Sequence, residues 1–74
     1  MRVISISREV AKGFEFDLDL VENTEVYKST NLKEGVDYEW GYERGDDFPS
    51  TIIILDESRE EEIRTFYKEL KKQV

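Results

Sequence analysis

The apolar residues of the chain change their period from one stretch to the next. Val3, Ile4 and Ile6, interleaved with serines, predict a first strand near residues 2–8. Lys12-Gly13 reads as a turn, because glycine accepts the positive φ that hairpin turns need. Phe14, Phe16, Leu18 and Leu20 then alternate with Glu15, Asp17, Asp19 and Val21, and that period of two predicts a second strand. Glu22-Asn23-Thr24 reads as a turn, followed by a weaker strand around residues 25–30 and a loop over 31–35. Val36, Tyr38, Trp40 and Tyr42 alternate with Asp37, Glu39, Gly41 and Glu43, a second period-two stretch. Arg44-Gly45-Asp46-Asp47 interrupts it, and Pro49 fits only the start of the next strand. Thr51-Ile52-Ile53-Ile54-Leu55 is apolar on both faces, as a central strand is.

From Ser58 onward the period becomes helical. Ile63, Phe66, Tyr67, Leu70 and Val74 fall on one stripe. Ser58 and Glu61 have the spacing of a capping box. Glu60, Glu61 and Glu62 suit the positive end of the helix dipole, and Lys68, Lys71 and Lys72 the negative end. The expected architecture is α+β, a single domain over residues 1–74. Four or five mostly antiparallel strands form its sheet, and one C-terminal helix packs on one face. One helical stripe covers one side of such a sheet. Ile53 and Leu55 point away from Ile52 and Ile54, so the far side is expected to carry an apolar spot of its own.

Seventy-four residues lie near the lower limit for a lone hydrophobic core. The chain has no Cys and no His, which removes disulfides, thiolate chemistry and imidazole-bound metals. It has no apolar run long enough to span a bilayer, and the first residues lack a signal peptide's apolar region. A cytoplasmic location is the expectation. In that setting Arg44-Gly45-Asp46, which spells an integrin-binding tripeptide, carries no functional reading.

Charge changes the picture more than composition does. The net charge is −7, made up of +2 over residues 1–13, −8 over 14–47 and −1 over 48–74. Such a field repels nucleic acid and attracts basic surfaces. If residues 14–20 and 36–43 were neighbouring strands, Glu15, Asp17, Asp19, Asp37, Glu39 and Glu43 would share one outward face with no lysine among them. Carboxylates would then recur every ~6.7 Å along each strand, a spacing that suits a groove made for phosphates. Trp40 and Tyr42 are the candidate aromatic anchors beside them, although aromatics at period two more often serve a core.

The expected function is therefore a small acidic binding or inhibitor protein. Its partner would be a protein with a basic, nucleic-acid-handling cleft, with no direct contact to nucleic acid or membrane and no cofactor. Size and charge style are similar to those of phage anti-restriction and anti-CRISPR inhibitors, nuclease immunity proteins and some antitoxins. The alternative is an assembly module that forms a homodimer through the apolar spot at Ile53 and Leu55. An enzyme using Mg²⁺ on Asp17, Asp19, Asp37, Glu39, Asp46 or Asp47 ranks below both, because an acidic row repels phosphates and offers no pocket. Nucleophilic catalysis by serine has no histidine base to draw on.

Overall fold

The run Thr51–Ile54, apolar on both faces, becomes the middle strand of a three-stranded sheet with order β1-β3-β2. The computed structural model describes residues 2–74. Its strands are β1 (Arg2–Ser5), β2 (Tyr38–Gly41) and β3 (Thr51–Ile54). Its helices are α1 (Arg8–Gly13), α2 (Leu18–Glu22), α3 (Glu25–Ser29) and α4 (Glu60–Lys71), the last entered through a 3-10 turn at Glu57–Arg59. Both strand pairs are antiparallel. Val3, Ile53 and Glu39 lie in one cross-strand row, Ile4, Ile52 and Trp40 in the next. No helix among the described residues is long and apolar enough to cross a membrane.

The α+β class, the antiparallel sheet and the C-terminal helix agree with the sequence pattern, whereas the expected four or five strands are three. Residues 14–20 and 25–30 are the ones that differ. Phe14 closes α1, Glu15 and Phe16 turn the chain, and α2 begins at Leu18. Apolar residues here have two periods at once. Phe14, Phe16, Leu18 and Leu20 recur at two, but Val10, Ala11, Phe14, Leu18 and Val21 recur at three and four. The second set wins: Val10, Ala11, Phe14 and Val21 are buried, while Phe16 and Leu20 are exposed. Each short helix also has a side-chain cap that a strand would not use. Ser7 Oγ accepts from Val10 N at 3.2 Å, Asp17 Oδ1 from Asp19 N at 3.0 Å, and Thr24 Oγ1 from Tyr27 N at 3.1 Å.

The turn after α1 differs from the expected Lys12-Gly13 hairpin as well. Glu15 N donates to Lys12 O and Phe16 N to Ala11 O, both at 2.9 Å, which is a Schellman ending. Positive φ falls on Glu15 (56°) and Phe16 (53°), not on Gly13. Gly13 meets a different demand: a Cβ there would run into the side chain of Val74.

The core lies between the sheet and the helices. Ile4, Tyr38, Trp40, Ile52 and Ile54 come from the inner face of the sheet, and Ile63, Phe66 and Leu70 from α4. Tyr38 is the hinge of the aromatic packing, with ring centroids 5.4 Å from Trp40 and 5.6 Å from Phe66. Tyr67 Oη accepts the Ser7 N–H at 2.8 Å and so ties the start of α1 to α4. The entry to α4 is capped by Asp56 rather than by the Ser58–Glu61 box. Asp56 Oδ1 accepts from Ser58 N at 3.0 Å and from Ser58 Oγ at 2.6 Å. These two bonds hold the Asp56 carboxyl below its ordinary range.

Candidate functional site

Two surfaces qualify as candidates, and each arises from how the strands are covered. The first is the outer face of the sheet. Helices α1, α2 and α4 contribute buried residues to the core cluster on the inner face, and the partly buried Val26 and Tyr27 of α3 pack against it. The outer positions Val3, Ser5, Glu39, Gly41, Thr51, Ile53 and Leu55 alternate with these inner ones. Val3 and Leu55 are 45% and 43% exposed. Among those outer positions Glu39 is the one charge, in a chain whose residues are 39% charged.

Gly41 shapes this face. A Cβ at that position would overlap Thr51 Oγ1 and crowd Ile53 Cδ1 at 3.2 Å. The β3 side chains therefore lean across β2, and Ile53 is half-buried with no helix above it. Beyond the end of β3, Leu55 and the exposed Val36 line a shallow hollow with Asp56 and Glu57. The face thus has an apolar centre and carboxylates at its rim, an arrangement that protein interfaces share.

The second surface is acidic. The predicted row of six carboxylates on one sheet face is dispersed, because residues 14–20 are not a strand. Glu15 sits exposed in the turn after α1, Asp17 caps α2, and Asp19 lies in its first turn. Glu39 alone of the six stands on the outer sheet face. Glu43 lies past β2, in the loop that runs to Pro49.

Asp37 is buried and serves the fold. Its Oδ2 accepts from Lys33 N at 2.8 Å and from Arg59 Nη1 at 3.0 Å, and its carbonyl accepts from Leu55 N and Asp56 N. Arg59 in turn reaches Glu62 at 2.7 Å. The guanidinium of Arg59 is held above its ordinary value, first by Glu62 and also by Asp37. This side chain joins the loop before β2 to the start of α4, and it is closed to a partner.

Of the two candidate anchors, Trp40 belongs to the core at 7% exposure and Tyr42 is exposed. The Trp40 indole N–H is buried and finds no hydrogen-bond partner among the described residues. Tyr42 lies in an acidic neighbourhood. Burial first, then the charges of Glu34 and Glu22, hold its phenol above the ordinary value. The same two carboxylates act on Tyr27 and on the buried Tyr38, where desolvation is again the largest cause. Glu34 bridges to Tyr38 at the start of β2, and Glu22 of α2 acts on the same phenols, a grouping that their separation in sequence hides.

Among the described residues no three carboxylates are grouped as a metal ion would need. Arg59–Asp37, Arg59–Glu62, Arg64–Glu60 and Lys72–Glu69 tie up charges at the α4 end of the molecule. The acids of residues 14–36 appear in none of the ion pairs among the described residues. Comparison with protein-family models, with curated proteins and with solved structures finds no match.

Proposed function

We propose that the protein works by binding a basic partner protein, with the uncovered outer face of its sheet as the dry centre of the contact. The observation that carries this reading is the contrast between that face and the rest of the surface. Val3 and Leu55 are exposed and flank the half-buried Ile53, in a chain with 39% charged residues. Exposed apolar patches with a polar rim mark interaction sites. The net charge of −7 selects among occupants. A second copy of the chain brings the same sign and is repelled, whereas a basic protein is drawn in and oriented. No step of chemistry is needed, and none is proposed.

A second reading, inhibition of a nucleic-acid-handling protein by occupation of its basic cleft, is favoured by one observation. Residues 14–47 carry −8, and their acids other than the buried Asp37 and the sheet-face Glu39 lie on α2, α3 and the flanking turns and loops. In this reading Glu22, Glu34 and Glu43, with Tyr42, make the contact.

A tagged pull-down at low and high salt distinguishes the two. A basic protein retained by the native chain and lost by Val3→Ser/Leu55→Ser supports the sheet-face reading. A nucleic-acid-handling protein retained by that variant, but lost when Glu22, Glu34 and Glu43 become glutamines, transfers the function to the acidic shell. Self-association alone, measured by sedimentation, overturns both in favour of a homo-oligomer.

A further inference from the structure

A cleft of about 480 Å³ opens at the Ser5 end of the sheet, between α1 and the loop after β2. Its floor is aromatic. Phe16, 53% exposed, stands edge-on to the buried Phe48 with ring centroids 6.3 Å apart. Glu43, Asp46 and Asp47 line it as well. The turn that sets them is closed by Asp46 N donating to Glu43 O at 3.1 Å, and it needs Gly45, whose φ is +87°. Arg8 is the one basic residue of the lining, so the cleft carries three acids against one base.

We propose that this cleft seats an arginine side chain from a basic segment of the partner protein. An arginine fits all three features at once. Its methylene stem lies on apolar surface, its planar guanidinium stacks on an aromatic ring, and its fork of donors matches carboxylates. An anionic or purely apolar group would leave the rim carboxylates unanswered. The inference rests on the basic-partner reading above but uses a different surface, at the opposite end of β3 from Leu55, so the two fail separately.

The test is a titration of the ¹⁵N-labelled chain with hexa-arginine and with hexa-lysine at physiological salt, monitored by amide shifts. Hexa-arginine is expected to shift Phe16, Gly45, Phe48 and Ser50 first, and to bind several-fold more tightly than hexa-lysine. Phe16→Leu, which keeps an apolar side chain but has no ring face, should weaken binding about threefold. Asp46→Asn/Asp47→Asn should weaken it about fivefold. Thermal melts of these variants verify that the fold is intact. No binding overturns the proposal. So do shifts spread over Asp19, Glu22 and Glu25, or affinities unchanged in both variants, since either outcome describes unspecific charge attraction. Binding of hexa-arginine that survives in Val3→Ser/Leu55→Ser keeps the cleft distinct from the sheet face, and loss in that variant overturns their independence.

Discussion

Ile52 and Ile53 are the same residue, one position apart, on the same strand. Ile52 is fully buried between the sheet and α4, whereas Ile53 faces outward with no helix over it. The same division separates Trp40 from Gly41 on β2 and Ile4 from Val3 on β1. Three strands thus carry a closed face and an open one. The contribution of a side chain depends on which face it joins, not on how apolar it is. The closed face carries the core, and the open face leaves Val3 and Leu55 to solvent.

Mutations that cross this boundary provide the largest contrast. Ile52→Ala is expected to cost about 3–4 kcal/mol in a urea melt, since it opens a cavity under α4. A cost below that of an exposed substitution would mean that the closed face is not the core. Asp37→Ala is expected to cost about 2 kcal/mol, because it leaves the Lys33 N–H without its acceptor and Arg59 with Glu62 alone. If it melts like the native chain, the clamp is ornamental and Asp37 is again free for a partner.

Alkaline pH probes the closed face through Tyr38. Burial raises its phenol above the ordinary value of 10.0, so its contribution is whole below pH 10.0 and is lost as pH rises toward the folded value. Stability should therefore decline above pH 10 by up to about 1.4 kcal/mol per unit. Tyr38→Phe should flatten that decline, and an unchanged slope would place the titration elsewhere. Glu15→Gly should add about 0.5–1 kcal/mol, because glycine accepts the left-handed turn without the Cβ penalty. Leu55→Ser, on the open face, should stay within about 0.5 kcal/mol. A larger loss would show that Leu55 is covered after all.

The sheet strands and α4 are legible in the sequence because each has one dominant pattern. Nothing competes with the isoleucines of β3, the period of two through Tyr38 and Trp40, or the stripe Ile63-Phe66-Leu70. Residues 14–30 are not legible, for the opposite reason. Phe14, Leu18 and Leu20 satisfy a strand and a helix alike, and the helices are only five or six residues long. The signals that separate the two are the caps Ser7, Asp17 and Thr24, small polar residues that also suit strand alternation or a turn. The candidate site suffers with them. Alternation alone puts Asp17 and Asp19 on the outward row of a strand that does not exist. Asp37 looks exposed because the sequence does not show Arg59 waiting 22 residues later. The open position of Leu55 is legible, since a central strand exposes its second face whenever the helices run out.

The order of the strands has a consequence for how the chain is made. β1 and β2 never touch; both pair with β3, so Arg2 must wait for Ile54. On the ribosome, Val3 of β1 emerges long before its partner Ile53, whereas Trp40 of β2 precedes Ile52 only shortly. Until Thr51–Ile54 is available, neither β1 nor β2 has a partner and no sheet can form. Sheet and core then close together in a late, long-range step, the kind that is slow and leaves apolar surface open meanwhile. The acids of the 14–47 segment, already synthesised by then, give the waiting chain a charge that keeps neighbouring nascent copies apart.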